Sequence, residues 1–258
     1  MCRKRSKNAC IRLGGPIVRT AVICFLTVVC GREAAAQSFG FVPASPKVGY
    51  TVSVRDLQIP SKARDKFEQG LNRLAKHDPE GSLRFFAVAT EAAPDFFEAY
   101  YHRGVAEVQM SRNYDALQSF QVAIDLSSGH YPRAEFGYGL VLTRTGNVRE
   151  AERVVRHGLQ TDANIPDGHV VLAMVLLRLN RLEEAEKSAQ EALPLNQSTS
   201  AKAHLILADI RGERGDFSGQ ARELDAYLKR YPRDRNHKFI EKTRDLALKI
   251  ASRKANGQ

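Results

Sequence analysis

Seven histidines are the first residues of this chain whose chemistry has to be weighed, because imidazole is both a common metal ligand and a general base. They lie at positions 77, 102, 130, 157, 169, 204 and 237. No two are four residues apart, the spacing that brings two imidazoles on one helix to the same metal, and no H-E-x-x-H motif is present. We therefore expect no metal site and interpret His169 and His204 as half-buried spacers between helices.

The other enzyme-like motifs are incomplete. Gly137-Tyr138-Gly139 lacks the third glycine and the preceding strand of a nucleotide loop, so its glycines are expected to thin a helix crossing. Residues 215–219 place their serine one position away from the nucleophile-elbow pattern. Glu183 and Glu184 fall in the first turn of an expected helix, where carboxylates complement the helix dipole. We expect a protein that is not an enzyme and uses no cofactor.

A period of 34 or 35 residues organises most of the chain, and it predicts an array of stacked helix pairs. Each copy has a small residue on its first helix, and twelve residues later a second small residue where the paired helix crosses. A filler side chain follows four positions further on, and another mostly small residue three positions after that. In chain order these positions are Gly70, Gly104, Gly139, Ala173 and Ala208; Ser82, Ala116, Ala151, Ala185 and Gln220; Phe86, Phe120, Val155, Ala189 and Leu224; and Ala89, Ala123, Gly158, Ala192 and Tyr227.

These residues resemble the tetratricopeptide repeat family, whose unit carries small residues on both helices, an aromatic side chain between them and a terminal proline. The resemblance covers about residues 63 to 234. It implies an all-α, right-handed α-solenoid of about five helix-turn-helix repeats that serves mainly as a binding scaffold. The large aromatic residue usual in the first helix is Tyr100 in the second copy. The other copies have Lys66, Glu135, His169 and His204 at that place.

The period places the repeats at 63–96, 97–131, 132–165, 166–200 and 201–234. Gly146 and Gly215 are expected in the turns of the third and fifth copies, with Ser111 and Asn180 at the matching places. Prolines fall at expected helix boundaries, where their missing N–H donor costs little. Ser61, Asp78, Asn147 and Asp216 are predicted N-caps.

Residues 235–258 are expected to form a capping helix and a short basic tail, because the last repeat would otherwise leave its apolar side in water. The predicted helix runs from Asp234 to Ala251. A polar outer face is the simpler interpretation of its basic residues, and a weak contact with an anionic surface is the other. Its apolar face would carry Phe239, Ile240, Thr243, Leu246, Ala247 and Ile250.

Residues 1–36 have the three-part form of an export signal, with a basic start, an apolar run from Ala21 to Cys30 and the small residues Ala34 to Ala36. The apolar run is shorter than the roughly 20 residues that span a bilayer, so we expect a cleaved leader rather than a retained anchor. Neither cysteine of the run follows a small residue, which disfavours a lipoprotein. We expect Sec-type export to the periplasm or the extracellular space.

Residues 37–62 are predicted to form an extended arm, because Gly40, Pro43, Pro46, Gly49 and Pro60 interrupt any helix. The high apolar content of this segment suggests that its later half lies against the array.

The positive charge of the chain is concentrated at its two ends. The leader holds seven Lys or Arg and one acidic residue, which is +6 of the net +10. Residues 229–254 hold ten basic and three acidic residues, and residues 37–228 hold 22 basic and 25 acidic residues, a net of −3. The high isoelectric point is therefore no argument for a nucleic-acid partner.

The partner-binding residues are predicted on the first helices, which line the concave side of arrays in this family. The positions three before and one after the small residue are mostly apolar, and Arg144, Arg178 and Glu213 follow towards the helix ends. Because this set lacks the lysine, arginine and asparagine that a clamp for a C-terminal carboxylate needs, that partner is disfavoured. The positions are Phe67, Tyr101, Phe136, Val170 and Leu205 before the small residue, and Leu71, Val105, Leu140, Met174 and Asp209 after it.

Two interpretations of this apolar trough remain open. In the first, the trough binds an extended or helical segment of another envelope protein, and the charged residues set the direction of that segment. Alternatively, residues 39–59 cover part of it, or some of its residues are helix-helix core. Together these observations favour a non-catalytic protein-protein interaction scaffold in the cell envelope, without a membrane span once the leader is removed. An accessory or carrier protein for an envelope polysaccharide or lipid, with Tyr101 and Phe136 stacking on the ligand, is the alternative.

Overall fold

The computed structural model describes residues 58–194, 197–234 and 236–256, whose regular secondary structure is helical throughout. The leader and nearly all of the arm lie outside these residues. Eleven helices are present in the described part of the chain. They are α1 (Ser61–Ala75), α2 (Pro79–Ala92), α3 (Phe97–Gln109), α4 (Asn113–Leu126), α5 (Pro132–Thr145), α6 (Val148–Thr161), α7 (Pro166–Arg178), α8 (Leu182–Ala192), α9 (Gln197–Glu213), α10 (Phe217–Arg230) and α11 (His237–Ala255).

The first ten helices form five antiparallel hairpins, and α11 packs against α10. Each helix packs on the helices before and after it, and α3, α5, α7 and α9 also touch one another in that order. The fold is therefore a helical solenoid, as the period predicted. The fifth hairpin begins at Gln197, four residues before the boundary placed at 201, and α1 begins at Ser61.

The turn of every hairpin contains one residue with a positive φ. Gly146 and Gly215 have φ of 92° and 70°, and Ser111 and Asn180 take the same place with φ of 59° and 58°. His77, in the first hairpin, has φ of 58°. A left-handed residue just after a helix lets the chain reverse while the last carbonyls stay bonded. The matching of these turn positions in the sequence is thus confirmed.

The seam between the paired helices follows the repeat. All of the small and filler residues on the second helices are buried, from Ser82, Phe86 and Ala89 in α2 to Gln220, Leu224 and Tyr227 in α10. The filler rings explain the small residues opposite. A Cβ atom on Gly70 would lie 2.5 Å from the Phe86 ring, and one on Gly104 would lie 2.8 Å from the Phe120 ring. The register read from the sequence is therefore confirmed.

Gly137 and Gly139 serve close packing. Both lie inside α5, where a Cβ atom on Gly137 would be 2.6 Å from Phe120 and one on Gly139 would be 2.3 Å from Val155. The expectation that these glycines thin a helix crossing is confirmed.

Two of the four predicted N-caps are present. Asp78 accepts a hydrogen bond from the Gly81 amide and Asp216 accepts one from the Gly219 amide, both at 2.8 Å. Asn147 stands before α6 without a capping side-chain bond, and Ser61 lies inside α1, so these two predictions are wrong. Sequence position shows where a cap can form, but the side-chain rotamer decides whether it does.

Replacing Asp216 with alanine is expected to lower the free energy of unfolding by about 1 kcal/mol, because the Gly219 amide loses its acceptor at the start of α10. Urea denaturation at neutral pH measures this change. The matched control is Asn147→Ala, at the same place in the third hairpin, for which we expect a change within about 0.5 kcal/mol. Equal losses in the two variants would contradict the assignment.

The last helix caps the array with a narrower apolar face than predicted. Ile240 and Ala247 are buried, and Phe239, Thr243 and Ile250 are half-buried. Leu246 is 42% exposed, which corrects its placement on the packed face. Because α11 packs mainly on α10, a residue at the edge of its apolar stripe remains in water.

The buried apolar side chains form three clusters. The largest runs from α3 to α9 and includes Phe120, Phe136 and Leu176. A second joins the start of α1 to α2 and to the segment from Phe96 to Ala99. A third joins α9, α10 and α11. The helix α9 contributes to the first and the third clusters and therefore links the middle of the array to its C-terminal end.

Candidate partner-binding surface

The predicted trough lies on what we call the first-helix face, the face formed by α1, α3, α5, α7 and α9. Most of its apolar residues are buried in the helix packing, whereas Phe67, Leu71 and Met174 are half-buried. Buried side chains are not available to a partner, so helix-helix core is the interpretation that describes them. The buried members are Tyr101, Val105, Phe136, Leu140, Val170 and Leu205.

The two buried aromatic residues of the trough, Tyr101 and Phe136, show why it is closed. A Cβ atom on Gly158 or Gly168 would lie 2.7 or 2.5 Å from the Phe136 ring, so this ring fills the space between α6 and α7. The Tyr101 ring lies 5.8 Å from that of Phe120 and 5.3 Å from that of Tyr131. Both rings therefore stabilise contacts between successive hairpins.

A row of charged residues near the ends of the first helices remains accessible. Arg178 and Glu213 are exposed, and Arg144 is half-buried. The Arg144 guanidinium donates to the Val108 carbonyl at 3.4 Å, near the C-terminal end of α3, and burial lowers its pKa from the usual value. No carboxylate of the described residues pairs with Arg144 or Arg178. This row, together with the half-buried Phe67, Leu71 and Met174, is the accessible part of the predicted site.

At the opposite edge of the same face, the charged side chains lie close to residues of opposite charge. Arg133, Asp167 and Lys202 stand near the starts of α5, α7 and α9. Asp167 lies 4.0 Å from the Arg133 guanidinium and 3.9 Å from the Lys202 ammonium. Because the charges alternate and approach one another, this edge attracts a charged segment less than the helix ends do.

Histidine-carboxylate pairs occupy the place where the family has an aromatic residue. In the third hairpin Glu135, which is buried, lies 2.6 Å from His157. His169 lies 3.1 Å from Glu191 in the fourth, and His204 lies 2.8 Å from Glu223 in the fifth. Each pair joins the two helices of one hairpin, so His169 and His204 are half-buried spacers as predicted. Their carboxylate partners, Glu191 and Glu223, are not evident from the sequence.

The Glu135 carboxyl is the buried partner in the first of these pairs. Burial raises its pKa, and the bond from His157 opposes that change. In the described ranges of the chain, no three of the His, Cys, Asp and Glu side chains cluster as metal ligands. The pairs are thus best understood as bridges within hairpins.

Ion pairs at the surface connect neighbouring hairpins. The Arg181 guanidinium lies 2.6 Å from Glu152 of the preceding hairpin, and Arg156 lies 3.2 Å from Glu184 of the following one. Arg211 reaches Glu186 at 2.5 Å. Individually such exposed pairs contribute little, but a network of them between neighbours fixes how the hairpins stack.

Asp209 is the one charged side chain in an otherwise apolar row of the first helices. It stands one residue after Ala208 in α9, where the other first helices have Leu71, Val105, Leu140 and Met174. The residue is 9% exposed. Burial, reinforced by repulsion from Glu213, raises the pKa of Asp209 to about 8. Its being the single charged residue in that row was the signal available in the sequence.

An open cleft of about 830 Å³ lies at the turn edge of the second, third and fourth hairpins. Leu117, Tyr138, Leu142 and Leu179 contribute apolar side chains to it, and residues 146–150 form its rim. None of the predicted site residues lines this cleft, so it is separate from the first-helix face.

Stacked helical hairpins with an exposed charged row along their first helices define a repeat scaffold of the kind that binds other proteins. The tetratricopeptide repeat family model matches residues 67–131, 139–199 and 170–235, and the chain belongs to this family. Proteins of this family are generally non-catalytic scaffolds for protein-protein interactions.

Solved structures agree with this assignment at the level of fold. A thermophilic tetratricopeptide repeat protein from Thermus thermophilus is 16% identical, with a TM-score of 0.63, over 72% of this chain and 98% of its own. A chain of the APC/C hetero-tetramer Cut9-Hcn1 is 17% identical with a TM-score of 0.66, over 72% of this chain and 36% of the matched one. MamA from Desulfovibrio magneticus RS-1 is 18% identical with a TM-score of 0.53, over 69% and 99%. No curated protein matches the sequence significantly.

Proposed function

We propose that this protein is a non-catalytic scaffold of the cell envelope that holds a segment of another envelope protein on the first-helix face of its third, fourth and fifth hairpins. The observation that carries the proposal is the row of Arg144, Arg178 and Glu213, which is accessible and has no ion-pair partner in the described residues. Repeat arrays use such continuous faces to bind extended or helical segments.

The proposed contact combines charge with a small apolar anchor. Arg144 and Arg178 hold the same position on α5 and α7, so acidic side chains of a segment crossing both helices would pair with them. Met174, which is half-buried and one turn before Arg178 on α7, offers a flexible apolar surface. Because the other trough residues of the third, fourth and fifth hairpins are buried, we place the binding energy at the helix ends rather than along the trough.

Envelope location is proposed from the sequence of residues 1–36, which lie outside the described residues. The basic start, short apolar run and Ala34 to Ala36 favour a cleaved Sec-type leader and a periplasmic or extracellular protein. None of the helices in the described ranges is both long and apolar enough to cross a membrane.

A weak contact of α11 with an anionic surface is proposed as an accessory to this role. Lys238, Lys242, Lys249 and Arg253 are exposed along one strip of the helix, with Leu246 in the same strip. None of the four cations has an ion-pair partner in the described residues, whereas Arg244 on the inner side pairs with Asp225 at 2.9 Å. Exposed cations around an apolar side chain suit an anionic surface.

The carrier alternative is not favoured by any contact in the structure. Stacking on a sugar or lipid would need accessible faces on Tyr101 and Phe136, and both rings are enclosed by neighbouring helices.

The proposal is tested by panning a display library of random twelve-residue peptides on the purified protein. We expect enrichment of peptides with acidic residues next to an apolar one, and loss of their binding in the double variant Arg144→Glu/Arg178→Glu. Reversing both charges removes the attraction and adds repulsion, so affinity should fall at least about tenfold.

The matched control for this experiment is Lys249→Glu/Arg253→Glu, which reverses two exposed cations on α11. It should leave peptide affinity within about twofold, because rim charges away from the contact change affinity little. No enriched peptide, or equal losses in the two double variants, would reject segment binding on the first-helix face.

A further inference from the structure

Asp209 is a buried carboxyl that no other described residue bonds. It makes no hydrogen bond and no ion pair within the described part of the chain, although it is 9% exposed. Buried polar groups are nearly always partnered, and an unpaired buried carboxylate is among the costliest side chains a fold can carry. The position itself does not require an acid, since the other four first helices place apolar residues there.

The other buried carboxyls of the described residues show what the fold normally provides. Glu107 accepts from Ser119 at 2.6 Å and from Arg103 at 2.9 Å. Glu135 is bonded to His157 at 2.6 Å. Asp209 is the exception among them, because no described side chain bonds its carboxyl, which keeps a 9% exposed opening to the surface.

Glu213 adds negative charge at the same place. It lies one turn after Asp209 on the same side of α9 and is exposed. The electrostatic effects on Asp209 are burial and repulsion from Glu213, both of which disfavour its charged form. A cation brought between the two carboxyls would relieve both effects at once.

The charges of the first-helix face therefore change sign along the array. The fourth hairpin ends its first helix with Arg178 and the fifth with Glu213, and Asp209 precedes Glu213 by one helical turn. A segment that pairs acidic residues with Arg144 and Arg178 would reach α9 next. Its charge complement there is a basic side chain.

We propose that Asp209 and Glu213 form a subsite for a lysine or arginine side chain of the bound segment, so that the partner carries acidic residues followed by a basic one. This inference rests on the proposed function. The donors of an ammonium or guanidinium group suit two carboxyls one turn apart, and burial of Asp209 makes the pairing short-ranged and selective.

A metal ion is a poorer occupant than a basic side chain. Calcium needs six to eight oxygen ligands, and two carboxyls on one helix supply too few. No third metal-ligating side chain joins them within the described residues.

The test uses the same random twelve-residue peptide library with the full chain and with Asp209→Asn. Peptides selected on the unaltered protein should share a lysine or arginine at one fixed distance from their acidic residues. Replacing that basic residue by methionine should lower affinity for the unaltered protein at least about tenfold. The same replacement should have almost no effect on binding to the Asp209→Asn protein, because the two changes remove one interaction.

Two further measurements keep the outcome clear. Glu213→Gln, at an exposed position, should reduce affinity for the basic peptide by a smaller factor, about twofold to fivefold, because it removes only the exposed carboxylate of the pair. The thermal midpoint of Asp209→Asn should equal or exceed that of the unaltered protein, so that lost binding is not lost folding.

Each result decides between the two proposals. Selected peptides that lack a fixed basic residue, or that bind equally well to Asp209→Asn, overturn the subsite. If those peptides still fail to bind the Arg144→Glu/Arg178→Glu protein, segment binding stands without the subsite. If no peptide is enriched, both proposals fail.

Discussion

Phe120→Ala lowers the free energy of unfolding by about 3–5 kcal/mol, the range for removing a fully buried phenylalanine from a core that cannot close around the space. The ring is 1% exposed. Cβ atoms on Gly104 and Gly137 would lie 2.8 and 2.6 Å from it, so the ring fills a space shared by the second and third hairpins. Both glycines lie on helices, which cannot move inwards without breaking their own packing.

Urea denaturation followed by circular dichroism measures this loss. Tyr114→Ala is the control, since Tyr114 lies in the same helix, α4, and is 73% exposed. We expect a change within about 0.5 kcal/mol for the control. A loss of less than about 1 kcal/mol in Phe120→Ala would mean that the ring is not the filler of this seam.

Asp209→Asn is expected to raise the free energy of unfolding at neutral pH, whereas Phe120→Ala lowers it. The folded-state pKa of Asp209 is raised from 3.8 to about 8 by burial and by Glu213. Between these values the folded chain keeps a proton that the unfolded chain releases, so stability falls as pH rises. Below pH 3.8 Asp209 is neutral in both states and its ionisation costs no stability. As the pH rises from 3.8 to about 8, the free energy of unfolding falls progressively. The gain from the variant at pH 7 is therefore about 2–4 kcal/mol.

Denaturation at several pH values tests this claim. The difference in stability between Asp209→Asn and the unaltered protein should be close to zero near pH 4 and should grow up to about pH 8. Glu213→Gln, at an exposed position, should show a much weaker dependence. A difference that does not change with pH would show that the Asp209 carboxyl is not held in its neutral form.

A side chain that destabilises the fold is informative about function. Most surface positions of a repeat array can be optimised for stability, and the first-helix row of Asp209 is apolar in the other four hairpins. Groups that cost stability are kept where binding needs them. The predicted gain in stability of Asp209→Asn and its predicted loss of peptide binding would then have one cause, the removal of the same carboxyl.

The repeat itself was predictable because it depends on spacing. Small residues recur where helices cross closely, and Gly104 and Phe120 meet as their positions in the period required. The turns were predictable for the same reason, since Asn180 and Ser111 stand where the other hairpins have glycine. Period and residue size are local quantities that the sequence displays directly.

The accessible surface was less predictable. The register places Phe136 and Leu140 on the first-helix face, but the depth of a residue on that face depends on how closely the next hairpin approaches. That approach is set by small residues such as Gly158 and Gly168 on other helices. Pairings such as His204 with Glu223 depend on rotamers across a helix pair, and the spacing in the sequence does not encode them.

Because the buried apolar side chains form three clusters, the two ends of the array and its centre can differ in local stability. Contacts run between neighbouring helices, so the first hairpin and the α10-α11 pair can fray while the central hairpins remain folded. The helix α9 belongs to both the central and the C-terminal cluster. A ligand that binds α9 together with α5 and α7 would therefore also stabilise the C-terminal end. Binding at the face would reduce local unfolding as far away as α11.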